Sequence, residues 1–165
     1  MDKNYELIMK MMDYENGSAH RIQHFLKVYE LATIIGEGEG ISDRLMHILQ
    51  TAALTHDIGI RTCMEKYGTA AGPAQEAEGP ALAKAMLEEL GYEDAVIDRV
   101  CYLIAHHHTY TDVDGLDYRI LIEADFLVNM LEDHYDAGAC RSAYERIFVT
   151  TTGKRICRKM YDVRK

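Results

Sequence analysis

Residues 43–59, DRLMHILQTAALTHDIG, decide how this chain is read. Leu45, Leu49, Ala52 and His56 fall on one row of a 3.6-residue helix, so an apolar face ends on an imidazole. Ser42 or Asp43 caps the start of that helix. Asp57 follows at once, and Gly59 then lets the backbone turn. A buried face that finishes in His-Asp asks what those two polar groups meet.

The preceding segment supplies one answer. In RIQHFLKVYELA, residues 21–32, His24 shares its row with Val28, Leu31 and Ile35, which is again the inward stripe. This helix starts after the break Glu15-Asn16-Gly17, with Ser18 as cap, and is expected to end near Gly36, Gly38 and Gly40. Further along, IEADFLVN at 122–129 places Asp125 on the core side with Leu121, Val128 and Leu131. Four polar side chains on inward rows need partners, because an unpaired buried carboxylate costs several kcal/mol. Singly, each residue reads as a hydrogen-bonded core histidine or as a cap. Together they suit one cation, and a mixed imidazole and carboxylate set fits manganese, iron, zinc, nickel or cobalt.

The rest of the chain is helical in pattern, and no convincing period-two strand occurs. A first helix covers about 2–13, with Leu7, Ile8, Met11 and Met12 inward. Helices follow at about 79–90, 94–107, 117–134 and 137–148, and Thr151 or Thr152 starts a short last one. Residues 59–80, including KYGTAAGPAQEAEGP, read as a long irregular loop of functional or mobile character. The expected fold is therefore all-α, a single-domain bundle of roughly seven helices spanning 1–165. Its motif core is about 18–130, and the helices of 137–161 pack on it.

Composition sets outer limits. Apolar residues make up 48% and charged residues 27%, which is globular rather than disordered. No apolar run approaches the ~20 residues a membrane span needs, and the N-terminus does not read as a signal peptide. Four widely spaced cysteines without a CxxC pair fit free thiols in a reducing cytosol. A net charge of −9 argues against an extended nucleic-acid surface. The basic tail (Lys154, Arg155, Arg158, Lys159, Arg164, Lys165) reads first as a dipole-compensated helix end, and second as a docking patch for an anion.

The ordered set RIQHFLKVYELA, ALTHDIG and IEADFLVN resembles the HD-domain superfamily of metal-dependent phosphohydrolases, over about residues 18–130. Lys27-Val28 stands where Arg-Val is usual. The resemblance implies an all-α bundle in which His24, His56, Asp57 and Asp125 ligate one metal ion. Some relatives hold a second ion, and the matching places here are His20, Glu78, His106 and His107. His107 also shares a row with Val96, Val100 and Leu103, so it faces the core, although a run of histidines at a helix end also suits the dipole. A lysine that contacts phosphate in many relatives is absent, Ile60 and then Arg61 standing there. Arg61 or Lys66 would replace it, unless both are solvated loop charges. His47 and His134 read as surface residues.

The implied activity is hydrolysis of a small phosphate ester or anhydride, most naturally of a nucleotide, with Asp57 and His107 as the catalytic pair. No GxxxxGK[ST] loop is present. Two other classes stay open, a non-catalytic nucleotide and metal sensor and a di-iron oxygenase. A homodimer also stays open.

Overall fold

In the computed structural model, which describes residues 2–164, the described residues form nine helices and no strand. They are α1 (Lys3–Tyr14), α2 (Ala19–Glu39), α3 (Asp43–Thr55), α4 (Ile60–Tyr67), α5 (Gly72–Glu89), α6 (Asp94–His106), α7 (Leu116–Glu132), α8 (Ala137–Arg146) and α9 (Thr151–Tyr161). The helix starts are chemically marked. Asp2, Ser18, Ser42, Asp136 and Thr150 each accept a backbone N–H of the first turn.

Helices α3 and α7 lie at the centre. From Ile48 to Thr55 every α3 residue except Gln50 is buried, and in α7 the run Ile120–Asp125 is buried on all sides. Such helices are covered on every face, whereas a surface helix keeps one apolar stripe. α2 packs on both, α1 and α6 pack on α3, and α5 pairs with α6. Leu49, Leu54, Ile58, Leu103 and Leu121 are fully buried, each contributing about 2 kcal/mol by area removed from water. That packing supports polar groups held inside the same core.

Three expectations from sequence are corrected. Residues 59–80 are not an irregular loop: α4 and the first half of α5 lie there, joined by a short turn in which Gly68 adopts φ +69°. The residues that α5 buries in this stretch are Gln75 and Gly79, so it lacks the large apolar stripe that announces a helix. Gly79 is small because α5 lies against α6 there, and Gly59 because α4 starts against α5. A Cβ on Gly59 would stand 3.0 Å from Gly79 N, and one on Gly79 would stand 2.7 Å from Ile104 Cγ2. Secondly, α2 runs through Gly36 and Gly38, and only Gly40, at φ +66°, ends it. Thirdly, Leu131 is exposed rather than inward.

Gly38 is kept small by its neighbour α9. A Cβ there would lie 2.3 Å from Thr152 Oγ1 and 2.7 Å from Thr152 Cγ2, and a β-branched side chain cannot swing clear of both. Gly38→Ala is expected to destabilise by roughly 1–2 kcal/mol, overpacking outweighing about 1 kcal/mol of gained helix propensity. Urea midpoints check this. Adding Thr152→Ala should restore most of the loss, and a single variant as stable as the parent would refute the account.

All four cysteines are free thiols, and no helix among the described residues is long and apolar enough to cross a membrane. Lys165 of the basic tail lies outside the described residues.

Candidate metal centre

Four elements deliver donors to one point. α2 carries His24 on its inward row, α3 is capped by His56 with Asp57 in the turn that follows, α6 ends at His106 with His107 as cap, and α7 carries Asp125. His24 Nε2 lies 3.2 Å from His56 Nε2, from Asp57 Oδ2 and from Asp125 Oδ1. His56 Nε2 lies 3.4 Å from the same two carboxylate oxygens. His107 Nε2 approaches the other oxygen of Asp57, Oδ1, at 3.5 Å. His24, His56, His107 and Asp125 are buried, while Asp57 retains some exposure at the base of a cleft of about 240 Å³.

The far side of each ring is held. His56 Nδ1 pairs with the Ala53 carbonyl at 2.8 Å and His107 Nδ1 with the Ile104 carbonyl at 2.7 Å. A carbonyl only accepts, so in both rings Nδ1 carries the proton. His24 Nδ1 meets Glu132 Oε2 at 2.9 Å. These partners fix ring orientation and aim three Nε2 atoms at the Asp57 and Asp125 carboxylates, as outer partners do for metal-bound histidines.

Two buried atoms, His107 Nε2 and Asp125 Oδ1, have no hydrogen-bond partner. Asp125 Oδ1 is near both imidazoles, but at angles that make no hydrogen bond. Both are lone pairs, since the His107 proton sits on Nδ1; a cation among the donors would satisfy Asp125 Oδ1, and His107 Nε2 is left as a base. Charge leads to the same conclusion. Burial alone would lower the His24 pKa, yet the Asp125 and Asp57 carboxylates raise it to about 10. His56 is driven well above its ordinary value, again against burial, chiefly by Asp57. Asp57 and Asp125 are held well below theirs, despite burial, by the surrounding imidazoles. Two carboxylates therefore gather positive charge around them, in the form of protons when nothing else supplies it.

The donor set fits a divalent ion. Binding requires neutral imidazoles, so the protons held on His24 and His56 must leave. The carboxylates raise both imidazole pKa values, so apparent affinity falls as pH drops and rises with pH, for the His24 proton up to about pH 10. Mn²⁺ or Zn²⁺ titrations between pH 6 and 9 should show a gain of roughly one to two decades per pH unit, with matching proton release. A pH-independent constant would contradict this arrangement.

The second-metal set expected from sequence is not assembled as a unit. Glu78 turns towards α4, where it accepts from Lys66 Nζ at 3.0 Å and Tyr67 OH at 2.7 Å. His106 is one residue, roughly 100°, short of the inward row. It stacks on Tyr102 and pairs with the Tyr102 carbonyl. His20 stands on the exposed rim, 3.6 Å from Glu132. His107 is in place, and its neighbour here is His108: Asp57, His107 and His108 form a second group whose ligand atoms lie within 4.8 Å of one another. Burial and the adjacent His107 lower the His108 pKa to about 4, which keeps that ring neutral.

Neither Arg61 nor Lys66 lines the cleft. Arg61 donates to the Tyr14 carbonyl and to Glu65, and Lys66 is paired with Glu78. The cation that does line it is Arg21, whose Nε donates to the buried Glu15 at 2.6 Å. Sequence reasoning missed Arg21, Glu132, Asn129, Gln75 and His108, all of which line the cleft. Helical spacing held a signal for three of them. Arg21 is three residues before His24, and Asn129 and Glu132 lie four and seven after Asp125.

A family model for the HD domain matches residues 21–139. Among solved structures, the chain is similar to a protein described as a predicted HD superfamily hydrolase from an uncultured Thermotogales bacterium. The TM-score is 0.66 at 24% identity, covering 98% of this chain and 85% of that one, a likeness of fold. No curated protein gives a significant match.

Proposed function

The chain belongs to the HD domain family, and from that premise we propose that it is a metal-dependent phosphohydrolase acting on a small phosphate ester or anhydride of a nucleotide. The observation that carries the proposal is the convergence of His24, His56, Asp57 and Asp125 at the base of an open cleft, beside two buried atoms that lack partners.

A bound divalent ion supplies polarisation of a phosphoryl oxygen and a water whose pKa falls towards ~7. The chain's own residues do the rest. Asp57 spans the two donor groups, one oxygen towards His24 and His56 and the other towards His107. His107, its Nδ1 proton fixed on the Ile104 carbonyl, presents a free Nε2 that takes up a proton from solvent and gives it to the leaving oxygen. Arg21 keeps its terminal guanidinium nitrogens for phosphate oxygens while Glu15 holds its Nε. Glu132 orients His24 and so acts through it.

The deciding experiment is elemental analysis of the purified protein joined to a phosphate-release screen over nucleotides, with and without added Mn²⁺. Metal-dependent release from at least one nucleotide supports the proposal. Metal bound, but no release from any mononucleotide, dinucleotide or simple ester, overturns it. The Asp57–His107–His108 group favours one second reading, a two-ion site with oxidative chemistry. Two iron atoms per chain, a visible absorption band and no phosphatase activity would select that reading.

A further inference from the structure

On the phosphohydrolase reading above, we propose that the cleft walled by Tyr110, Phe126, Tyr135, Ser142 and Arg146 is the subsite for a planar heteroaromatic group, a nucleobase, carried by the substrate. This cleft, about 410 Å³, is larger than the one over the donor cluster. It lies between α7, α8 and the turn after α6, two of which also frame the donors.

Adjacency is written in the chain. Tyr110 stands three residues beyond His107, Phe126 adjoins Asp125, and Tyr135 follows by two residues Asp133, which lines the donor cleft. The Asp125 carboxylate is close enough to add to burial in pushing the Tyr110 phenol up to about 12. The two clefts share no lining residue, so on this proposal a substrate with its phosphate at the donors extends past the Asp125–Phe126 step of α7 into this one.

The walls match a flat ring. Tyr110 and Phe126 have centroids 5.3 Å apart with planes tilted by 69°, which makes an aromatic corner rather than a closed stack. Tyr110 is 41% exposed and Tyr135 37%, so two large rings face solvent in one concavity. Ala139 and Ala143 keep the α8 side shallow. Arg146 and Ser142 make no ion pair or side-chain hydrogen bond among the described residues, which leaves donors for the acceptor edge of a base. Aromatic faces with a nearby guanidinium are the usual means of holding unpaired bases.

The test separates the subsite from the hydrolase reading. The purified full chain is titrated with adenosine and with uridine, which carry no phosphate, and binding is followed by calorimetry or NMR. Saturable binding is expected, weakened about tenfold by Tyr135→Ala and by Arg146→Ala, both at exposed positions, with folding checked by circular dichroism. If the metal-loaded chain hydrolyses nucleoside monophosphates, the same substitutions should lower kcat/KM for AMP relative to ribose 5-phosphate about tenfold. If no phosphate is released, the hydrolase reading falls and the nucleoside titration alone judges the subsite. No nucleoside binding up to about 10 mM, or binding indifferent to both substitutions, overturns the proposal.

Discussion

Asp57→Ala is expected to abolish metal-dependent phosphate release, a loss of at least about 10³-fold, and to lower metal content in the same preparation. The size follows from the position of the carboxylate. Its Oδ2 lies 3.2 Å from His24 Nε2 and 3.4 Å from His56 Nε2, while its Oδ1 lies 3.5 Å from His107 Nε2. One substitution therefore removes a donor and half of the negative charge that gathers a cation, and unhooks the proposed proton carrier. His107→Ala should leave metal content near the parent value and slow turnover by roughly 10²–10⁴, with a smaller change in KM. His106→Ala and Glu78→Gln separate the two donor sets directly. If the set expected from sequence operates, both reduce metal binding; on the observed geometry, both change activity by less than about twofold. An Asp57→Ala protein that keeps more than about a tenth of the activity with full metal content would remove Asp57 from the centre.

The second large effect is on stability, far from that cleft. Glu123 of α7 is fully buried, and its carboxylate receives Val149 N at 2.6 Å, Thr150 N at 2.9 Å and Thr150 Oγ1 at 2.5 Å. It thus closes the N-terminus of α9, where free N–H groups and the helix dipole both favour an anion. A Cβ on Gly153 would stand 2.0 Å from Glu123 Oε2, so the carboxylate enters only because that position is glycine. Glu123→Ala leaves two backbone donors and a hydroxyl without their acceptor. The expected cost is roughly 3–5 kcal/mol, since charge-assisted bonds are worth about 1.5–3 kcal/mol each and do not add fully. For a chain of this size that corresponds to a Tm lower by roughly 6–20 °C. Glu123→Gln keeps an acceptor and should lose less than half as much. Thermal and urea unfolding measure both, and a loss below about 1 kcal/mol for Glu123→Ala would show that α9 is held by its apolar contacts alone.

Legibility in the sequence divides along a physical line. Helical periodicity reports which face of a segment turns inward, and inward faces are shared by the core and by the site within it. That is why an all-α fold, the Ser18 and Ser42 caps, and the rows bearing His24, His56, Asp125 and His107 could be read from spacing. It also explains the failures. Periodicity needs large apolar residues, and the start of α5 buries Gln75 and Gly79 instead, so a helix looked like a loop. At the end of α6 the pattern stops, and spacing could not tell whether His106 or His108 would accompany His107.

The helical class and the residues of the first donor set were legible from the amino-acid order, because each depends on the faces of single helices and on the order of a motif. What meets across helices was set by how they pack. Packing turned Glu78 to Lys66, placed Arg21 rather than Arg61 in the cleft, set Glu132 behind His24 and put Glu123 at the mouth of α9. The reason is that a row on one helix carries no information about how that helix is rotated and shifted against its neighbours. That choice is made by close packing, here at contacts such as Gly59 on Gly79 and Gly38 on Thr152, where one methyl group more would move a helix.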